Sequence, residues 1–216
     1  MLYMKRHALI ICNGQPPSRA LARRLAKRAD LVVAADGGAN VARAYGIRPD
    51  VIIGDFDSAT PGTLRYFSRA EIVHVSDQYS TDLEKALTFC VKRNVGRVTI
   101  IAATGNRLDF TLGNLSVIWG YVGKLSVLLE GDGWKSIPLN GPQRIKARIG
   151  TTVSLVPFGR CSGITLRGLQ YLLTNATMKV GEIGVSNVVH RSPFSISVKK
   201  GRMLLLMLDG KQTGRA

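Results

Sequence analysis

Residues 51–58, VIIGDFDS, form an unbroken apolar run that stops abruptly at two aspartates, Asp55 and Asp57, followed by Ser58. A short run without polar alternation is expected of a strand buried on both faces, as in a parallel sheet covered by helices. The same grammar recurs on either side. HALIICN (7–13) ends in an Asn13-Gly14 turn and Pro16-Pro17, then gives way to the helical stretch SRALARRLAKRAD (18–30). LVVAA (31–35) ends in Asp36-Gly37-Gly38 before a short helix, ANVARAY (39–45), closed by Gly46. EIVHVS (71–76) delivers Asp77, and VTIIAA (98–103) leads into TGNRLDF (104–110). Strands alternating with helices predict an α/β unit with a mostly parallel sheet.

In such a sheet the carboxyl ends of the strands share one edge, and ligands bind in the crevice beside it. Asp36, Asp50, Asp55, Asp57, Asp77, Asp82 and Asp109 all precede residue 110, most of them where an apolar run ends. Clustered carboxylates repel one another unless a hard cation such as Mg²⁺ lies among them, usually with polyphosphate oxygens in its shell. The expectation is a metal and phosphate site. Asp55 and Asp57, two apart on an extended chain, point the same way and can share one cation. The paired glycines Gly37 and Gly38 let the backbone approach a ligand closely.

Thr81 and Glu84 match a capping box, and Leu83, Ala86, Leu87, Cys90 and Val91 follow at helical spacing, so a helix begins at Thr81. Asp82 falls in its first turn, where the helix dipole by itself favours an acid. Lys85, one turn on, meets a phosphate, pairs with Asp82 or is simply solvated. Arg107 and Asp109 stand in the loop after the fifth strand, as a phosphate donor with a further acid or simply as an ion pair.

After residue 124 the pattern changes. LSVLLE, TTVSLVPF, GITLRGL, FSISVKK and RMLLLML alternate with glycine turns and leave no room for a long helix, which predicts an all-β sandwich or barrel. The domain boundary is expected at 123/124. Lys and Arg outnumber Asp and Glu 30 to 14, for a net charge of +16, which favours anionic partners. The basic residues are scattered, and Arg23, Arg24, Lys27 and Arg28 read as one exposed helix face. Cys12, Cys90 and Cys161 lie far apart in apolar stretches, without zinc or disulfide spacing. They read as core residues in a reducing compartment. The apolar stretch from Ala8 to Cys12 is too short for a signal segment, and no run is long enough to cross a membrane, so a cytoplasmic protein is expected.

ADGGAN (35–40), PDVIIGDFDS (49–58), DQYSTDLEKAL (77–87) and GNRLDFTLGN (105–114) together resemble the motifs of the thiamine pyrophosphokinase family, in order and in spacing. GLQYLL (168–173) and GVSN (184–187) resemble its later segments, so the likeness spans nearly the whole chain. It implies an α/β domain over 1–123 that binds ATP and Mg²⁺, and a β-sandwich over 124–216 that binds thiamine. It also implies a homodimer with thiamine at the subunit interface, and transfer of pyrophosphate from ATP to the thiamine hydroxyl. By motif, Asp55, Asp57 and Asp82 would hold Mg²⁺, and Lys85, Arg107 and Asp109 would complete the catalytic set, with Asp82 or Asp109 as the base. The same likeness assigns ligand contacts to Asp36, Gly37, Gly38, Asn40, Ser58, Asp77, Gln78, Thr81, Tyr171, Ser186 and Asn187. For Tyr171, core packing competes with stacking on thiamine. Phe110 departs from the His that many bacterial members carry after the Arg-x-Asp pair, and Phe offers no hydrogen bond.

Two other classes fit parts of the chain. A DxD glycosyltransferase explains Asp55 and Asp57 but not TDLEK, GNRLD or the β-rich half. A nucleic-acid binder explains the charge, yet no aromatic and basic interleaving or known motif supports specific nucleic-acid recognition.

Overall fold

The computed structural model describes residues 6–182 and 184–209, which fall into two compact units meeting at Asp132 and Gly133. In the first, β1 (His7–Ile11), β2 (Leu31–Ala35), β3 (Val51–Gly54), β4 (Glu71–His74), β5 (Arg97–Ile101) and β6 (Ser126–Gly131) pair in the order β6-β5-β1-β2-β3-β4. Every one of these pairings is parallel. The connecting helices are α1 (Arg19–Ala26), α2 (Gly38–Tyr45), α3 (Pro61–Tyr66), α4 (Asp82–Lys92) and α5 (Leu108–Val117).

Alternation along the strands divides the core. Leu9, Ile11, Val32, Ala34 and Ile52 pack with Leu21, Ala22, Leu25, Ala39 and Ala42 of α1 and α2. α4 packs on β1, β2 and β3, with Leu83, Ala86, Leu87 and Cys90 buried. Residues two apart share a face, so a strand covered by helices on both sides is apolar at every position. That is the burial seen for β1, β2 and β3.

Three expectations change. EIVHVS was expected to be a buried strand, but among the described residues β4 pairs only with β3 and is the sheet edge, leaving Glu71, Ile72 and His74 exposed. LSVLLE was expected in the β-rich half, but β6 pairs in parallel with β5, which carries the first unit to Asp132 rather than to the expected 123. An apolar run reads the same whether its partner is parallel or antiparallel, so only the pairing decides where it belongs. Helix α3, which the sequence reading did not place, is announced by Thr60 as N-cap and Pro61 at the first turn.

The second unit is all β and antiparallel. One sheet runs β12 (Gly184–Val188), β9 (Thr152–Pro157), β14 (Met203–Leu208), β7 (Trp134–Leu139). The other runs β11 (Leu173–Met178), β10 (Cys161–Arg167), β13 (Phe194–Ser197), β8 (Gln143–Ile145). Val153, Leu155, Met203 and Leu205 of the first sheet share a core with Ile164, Leu166, Phe194 and Ile196 of the second. Two sheets closing on one apolar layer make a β-sandwich, as expected. All three cysteines are buried and unpaired. Among the described residues no helix is long and apolar enough to cross a membrane.

Candidate active site

The strand order turns outward in both directions from β1 and β5, and a cleft of about 530 Å³ opens beside the carboxyl ends of these strands. Cys12, Asn13, Asp55, Asp57, Ser58, Gln78, Asp82, Lys85, Arg107 and Phe110 line it. Of the sequence-predicted acids, Asp55, Asp57 and Asp82 line the cleft, and Asp50 lies at the other edge of the sheet. It precedes β3 at the amino edge and accepts the Val32 N–H at 2.7 Å, a structural contact.

Asp36 ends β2 with φ at 42°, and Phe56, Ala102 and Asn106 also have positive φ. Side chains rarely adopt that conformation outside glycine, and here it concentrates in the loops at the carboxyl edge. Asp36 is 1% exposed, and its two oxygens accept the Ser58 and Ala59 N–H groups at 3.0 and 3.1 Å. Burial pushes its carboxyl above the ordinary range, against the opposing pull of those hydrogen bonds. Asn40 donates to the Ser58 carbonyl and accepts from the Thr60 N–H and hydroxyl. Asp36 and Asn40 thus fix the backbone of the loop that carries Asp55 and Asp57. A Cβ on Gly37 would fall 2.2 Å from the Asn13 amide, and one on Gly38 1.9 Å from the Ile11 carbonyl oxygen. The two glycines let α2 start hard against the end of β1, so their first service is to packing.

Lys85 is the centre of the charge arrangement. Its side chain is 2% exposed, and its ammonium donates to Asp55 at 3.1 Å and Asp82 at 3.3 Å. Burial removes the reading of plain solvation, and the pairing with Asp82 is joined by Asp55, a second partner that sequence spacing does not reveal. Burial disfavours the Lys85 charge, but the two carboxylates outweigh it and raise the ammonium above its ordinary value. At Asp55 the slight burial is overcome by Lys85 and the Asp57 N–H, which hold the carboxyl low. At Asp82 burial prevails over Lys85, with Asp36 and Asp55 adding repulsion, and the carboxyl is raised.

Asp36, Asp55 and Asp57 bring one oxygen each within 4.8 Å of the others, the one such group among the described residues. The expected metal set was Asp55, Asp57 and Asp82; the close group holds Asp36 as its third member, while Asp82 lines the same cleft and shares the Lys85 ammonium with Asp55. Asp57 accepts the Ser58 hydroxyl at 2.8 Å through one oxygen. Hard carboxylate oxygens on a fixed loop suit a small oxygen-seeking cation such as Mg²⁺.

Asp77 is exposed and accepts from the Ser80 hydroxyl and the Tyr79 N–H, which hold its carboxyl low and order the 77–80 loop. Gln78 reaches Asp55 at 3.4 Å. Thr81 caps α4, accepting the Glu84 N–H. Arg107 and Asp109 form a two-bond ion pair at the cleft rim, the closer contact 2.6 Å. Arg107 holds the Asp109 carboxyl low and lies 4.1 Å over the Phe110 ring. Sequence reading missed Asn13, Cys12 and Asn114, which also line the cleft. Asn13 could have been found, since it ends the strand next to the reversal in strand order.

Tyr171, Ser186 and Asn187 belong to the second unit. Tyr171 is 64% exposed, which removes the core-packing reading. Asn187 is buried and clamps the Tyr171 backbone, accepting its N–H at 2.9 Å and donating to its carbonyl at 2.7 Å. Ser186 is exposed, with φ at 60°.

Residues 22–127 match the family described as thiamin pyrophosphokinase, catalytic domain, and residues 142–203 match thiamin pyrophosphokinase, vitamin B1 binding domain. The chain belongs to the thiamin pyrophosphokinase family. It is 32% identical to thiamine pyrophosphokinase 1 of rice over 88% of this chain and 83% of that protein. Over 74% of this chain and 79% of the relative it is 27% identical to thiamine pyrophosphokinase of Bacillus subtilis. The fold matches the crystal structure of thiamine pyrophosphokinase from B. subtilis with a TM-score of 0.83 at 23% identity, covering 95% of this chain and all of that one. Thiamin pyrophosphokinase from Candida albicans matches at 0.82 and 19% identity, covering 95% and 90%.

Proposed function

We propose that this family member transfers a pyrophosphoryl group from ATP to the hydroxyl of thiamine, giving thiamine diphosphate and AMP. The observation that carries the reading is the fixed group of Asp36, Asp55 and Asp57 beside the Lys85 ammonium, at the strand ends of an α/β unit in this family. The hydroxyl oxygen forms a bond to the β-phosphorus while the bond from that phosphorus to the α,β-bridging oxygen breaks. AMP leaves with that oxygen, and the hydroxyl proton passes to a carboxylate.

Asp55 and Asp57 would hold Mg²⁺, with Asp36 holding their loop in place. A bound Mg²⁺ neutralises phosphate charge and aligns the reacting groups. Lys85 keeps Asp55 and Asp82 at a set separation and lowers the local negative potential that a polyphosphate meets. Asp82 is favoured over Asp109 as proton acceptor, because Arg107 occupies both oxygens of Asp109. Asp77, Gln78 and Thr81 shape the wall of the cleft. Phe110 supplies an apolar face to it, steadied by the Arg107 guanidinium, in place of a hydrogen-bonding His.

The same proposal assigns ATP to the first unit, and thiamine contacts to Tyr171 and Ser186 of a homodimer, with Asn187 supporting Tyr171. The family ranges 22–127 and 142–203 support that division. Three buried thiols without a disulfide accord with a cytoplasmic setting. A DxD glycosyltransferase accounts for neither the Lys85 arrangement nor the second unit.

The deciding experiment follows AMP release from ATP and Mg²⁺, with and without thiamine, in the wild type and Asp55→Asn. Thiamine-dependent AMP with thiamine diphosphate, lost in the variant, is the expected result. Absence of AMP under every condition overturns the reading.

A further inference from the structure

The outer face of the second β-sheet of the sandwich carries a row of charge that the proposed reaction does not use. In the register of that sheet, Ser195 of β13 lies opposite Arg167 of β10 on one side and Arg144 of β8 on the other. Directly opposed residues of antiparallel strands point to the same face, so Arg144, Ser195 and Arg167 share one face, with an arginine position on either side of the serine. Phe194 and Ile196, the neighbours of Ser195, are buried, which sets the row on the outward side. The two arginine positions lie two strand spacings, about 10 Å, apart, and a carboxylate between them would offset their charge.

None is present. The only acids after Gly133 are Glu182 and Asp209. Glu182 pairs with Lys179, and Asp209 pairs with Arg148. Among the described residues no ion pair reaches Arg144, Arg167 or Arg191.

The row forms part of a cavity of about 780 Å³, to which His190 and Arg191 also contribute. Their segment is fixed, since the His190 and Arg191 N–H groups both donate to the Gly168 carbonyl at 2.9 Å. Arg167 is anchored too, donating to the Leu166 and Leu173 carbonyls at 2.9 and 2.7 Å. A guanidinium carries five donors, so Arg167 keeps others for a ligand. Beside this cavity lies a smaller one of about 320 Å³, sharing Arg144 and Ser195 and adding Thr165 and Ser197.

We propose that this face binds a small, multiply charged phosphate anion, of which a diphosphate group is the type. Planar guanidinium forks match phosphate oxygens in pairs, and flanking hydroxyls bond the remaining oxygens. A concavity of this size holds a small molecule, whereas a polynucleotide backbone needs an extended basic track. The site also gives part of the +16 charge a use that the acid-rich cleft of the first unit does not.

The test is calorimetric titration of the full chain with inorganic pyrophosphate, in EDTA so that no divalent cation recruits it to the first unit. Wild type, Arg144→Gln, Arg191→Gln and Asp55→Asn are compared at low and at physiological ionic strength. One equivalent binds per chain, either arginine variant weakens binding about tenfold, and Asp55→Asn leaves it unchanged. Thiamine diphosphate titrated in parallel distinguishes a free diphosphate from an esterified one, and tighter binding of either supports the shared chemistry. No binding overturns the proposal, as does binding that both arginine variants retain or that Asp55→Asn removes. A single-stranded RNA that binds more tightly than pyrophosphate and is weakened by Arg144→Gln overturns it in favour of a polynucleotide. A change of oligomeric state in Arg144→Gln with pyrophosphate binding intact overturns it in favour of contact between copies of the chain.

Discussion

Replacing Lys85 with Met removes a buried cation while keeping most of its apolar volume. The ammonium makes two charge-assisted hydrogen bonds, at 3.1 Å to Asp55 and 3.3 Å to Asp82. Each such bond contributes about 1.5–3 kcal/mol, and orphaning a fully buried charge costs about 3–5 kcal/mol. The Asp55 and Asp82 side chains are 19% and 35% exposed, so water replaces part of what is lost. Met also escapes the cost of burying an ammonium. The net loss is about 2 kcal/mol after these offsets, which lowers the melting temperature of a domain this large by about 4–8 °C. The measurement is thermal unfolding followed by circular dichroism in EDTA, repeated with Mg²⁺. Without Lys85 the carboxylates lack their counter-charge, so Mg²⁺ raises the melting temperature of Lys85→Met more than that of the wild type. A variant as stable as the wild type in EDTA, or one that gains no more from Mg²⁺, refutes the reasoning.

Gly38→Ala drives a Cβ to 1.9 Å from a backbone oxygen of β1 and is expected to abolish soluble folded protein, read by expression and gel filtration. Gly113→Ala, in open space within α5, raises stability by about 0.5–1 kcal/mol in chemical denaturation. Asn187→Ala frees the Tyr171 backbone and costs about 2 kcal/mol in the same assay, and an unchanged midpoint would show that the clamp is idle. Burial pushes the Cys12 and Cys90 thiols up to about 12, so at mildly alkaline pH almost none is thiolate. Ellman's reagent then finds no fast-reacting thiol in the native chain and all three after denaturation; rapid native labelling would contradict this burial.

Much of the first unit could be read from local pattern. The runs ending at Ala35 and Gly54 are apolar throughout because both faces are covered, those ending at Ile11 and Ile101 nearly so, and Thr81 announces α4 through its own side chain. Local pattern says nothing of who pairs with whom. Ser126–Gly131 could have served either unit, and Glu71–His74 could not be known as an edge. The arginine row was invisible for the same reason, since Arg144, Arg167 and Ser195 are adjacent only through strand register.

The order of strands and helices, the aspartates at strand ends and the family motifs are determined by the sequence alone, because each is fixed by residues near one another along the chain. Tertiary structure decided that Lys85 locks Asp55 to Asp82, that Asp36 joins Asp55 and Asp57, and that Asp50 serves the opposite edge. Those relations depend on the distance between side chains brought together by strand pairing and helix packing, and electrostatic coupling follows that distance rather than separation along the chain.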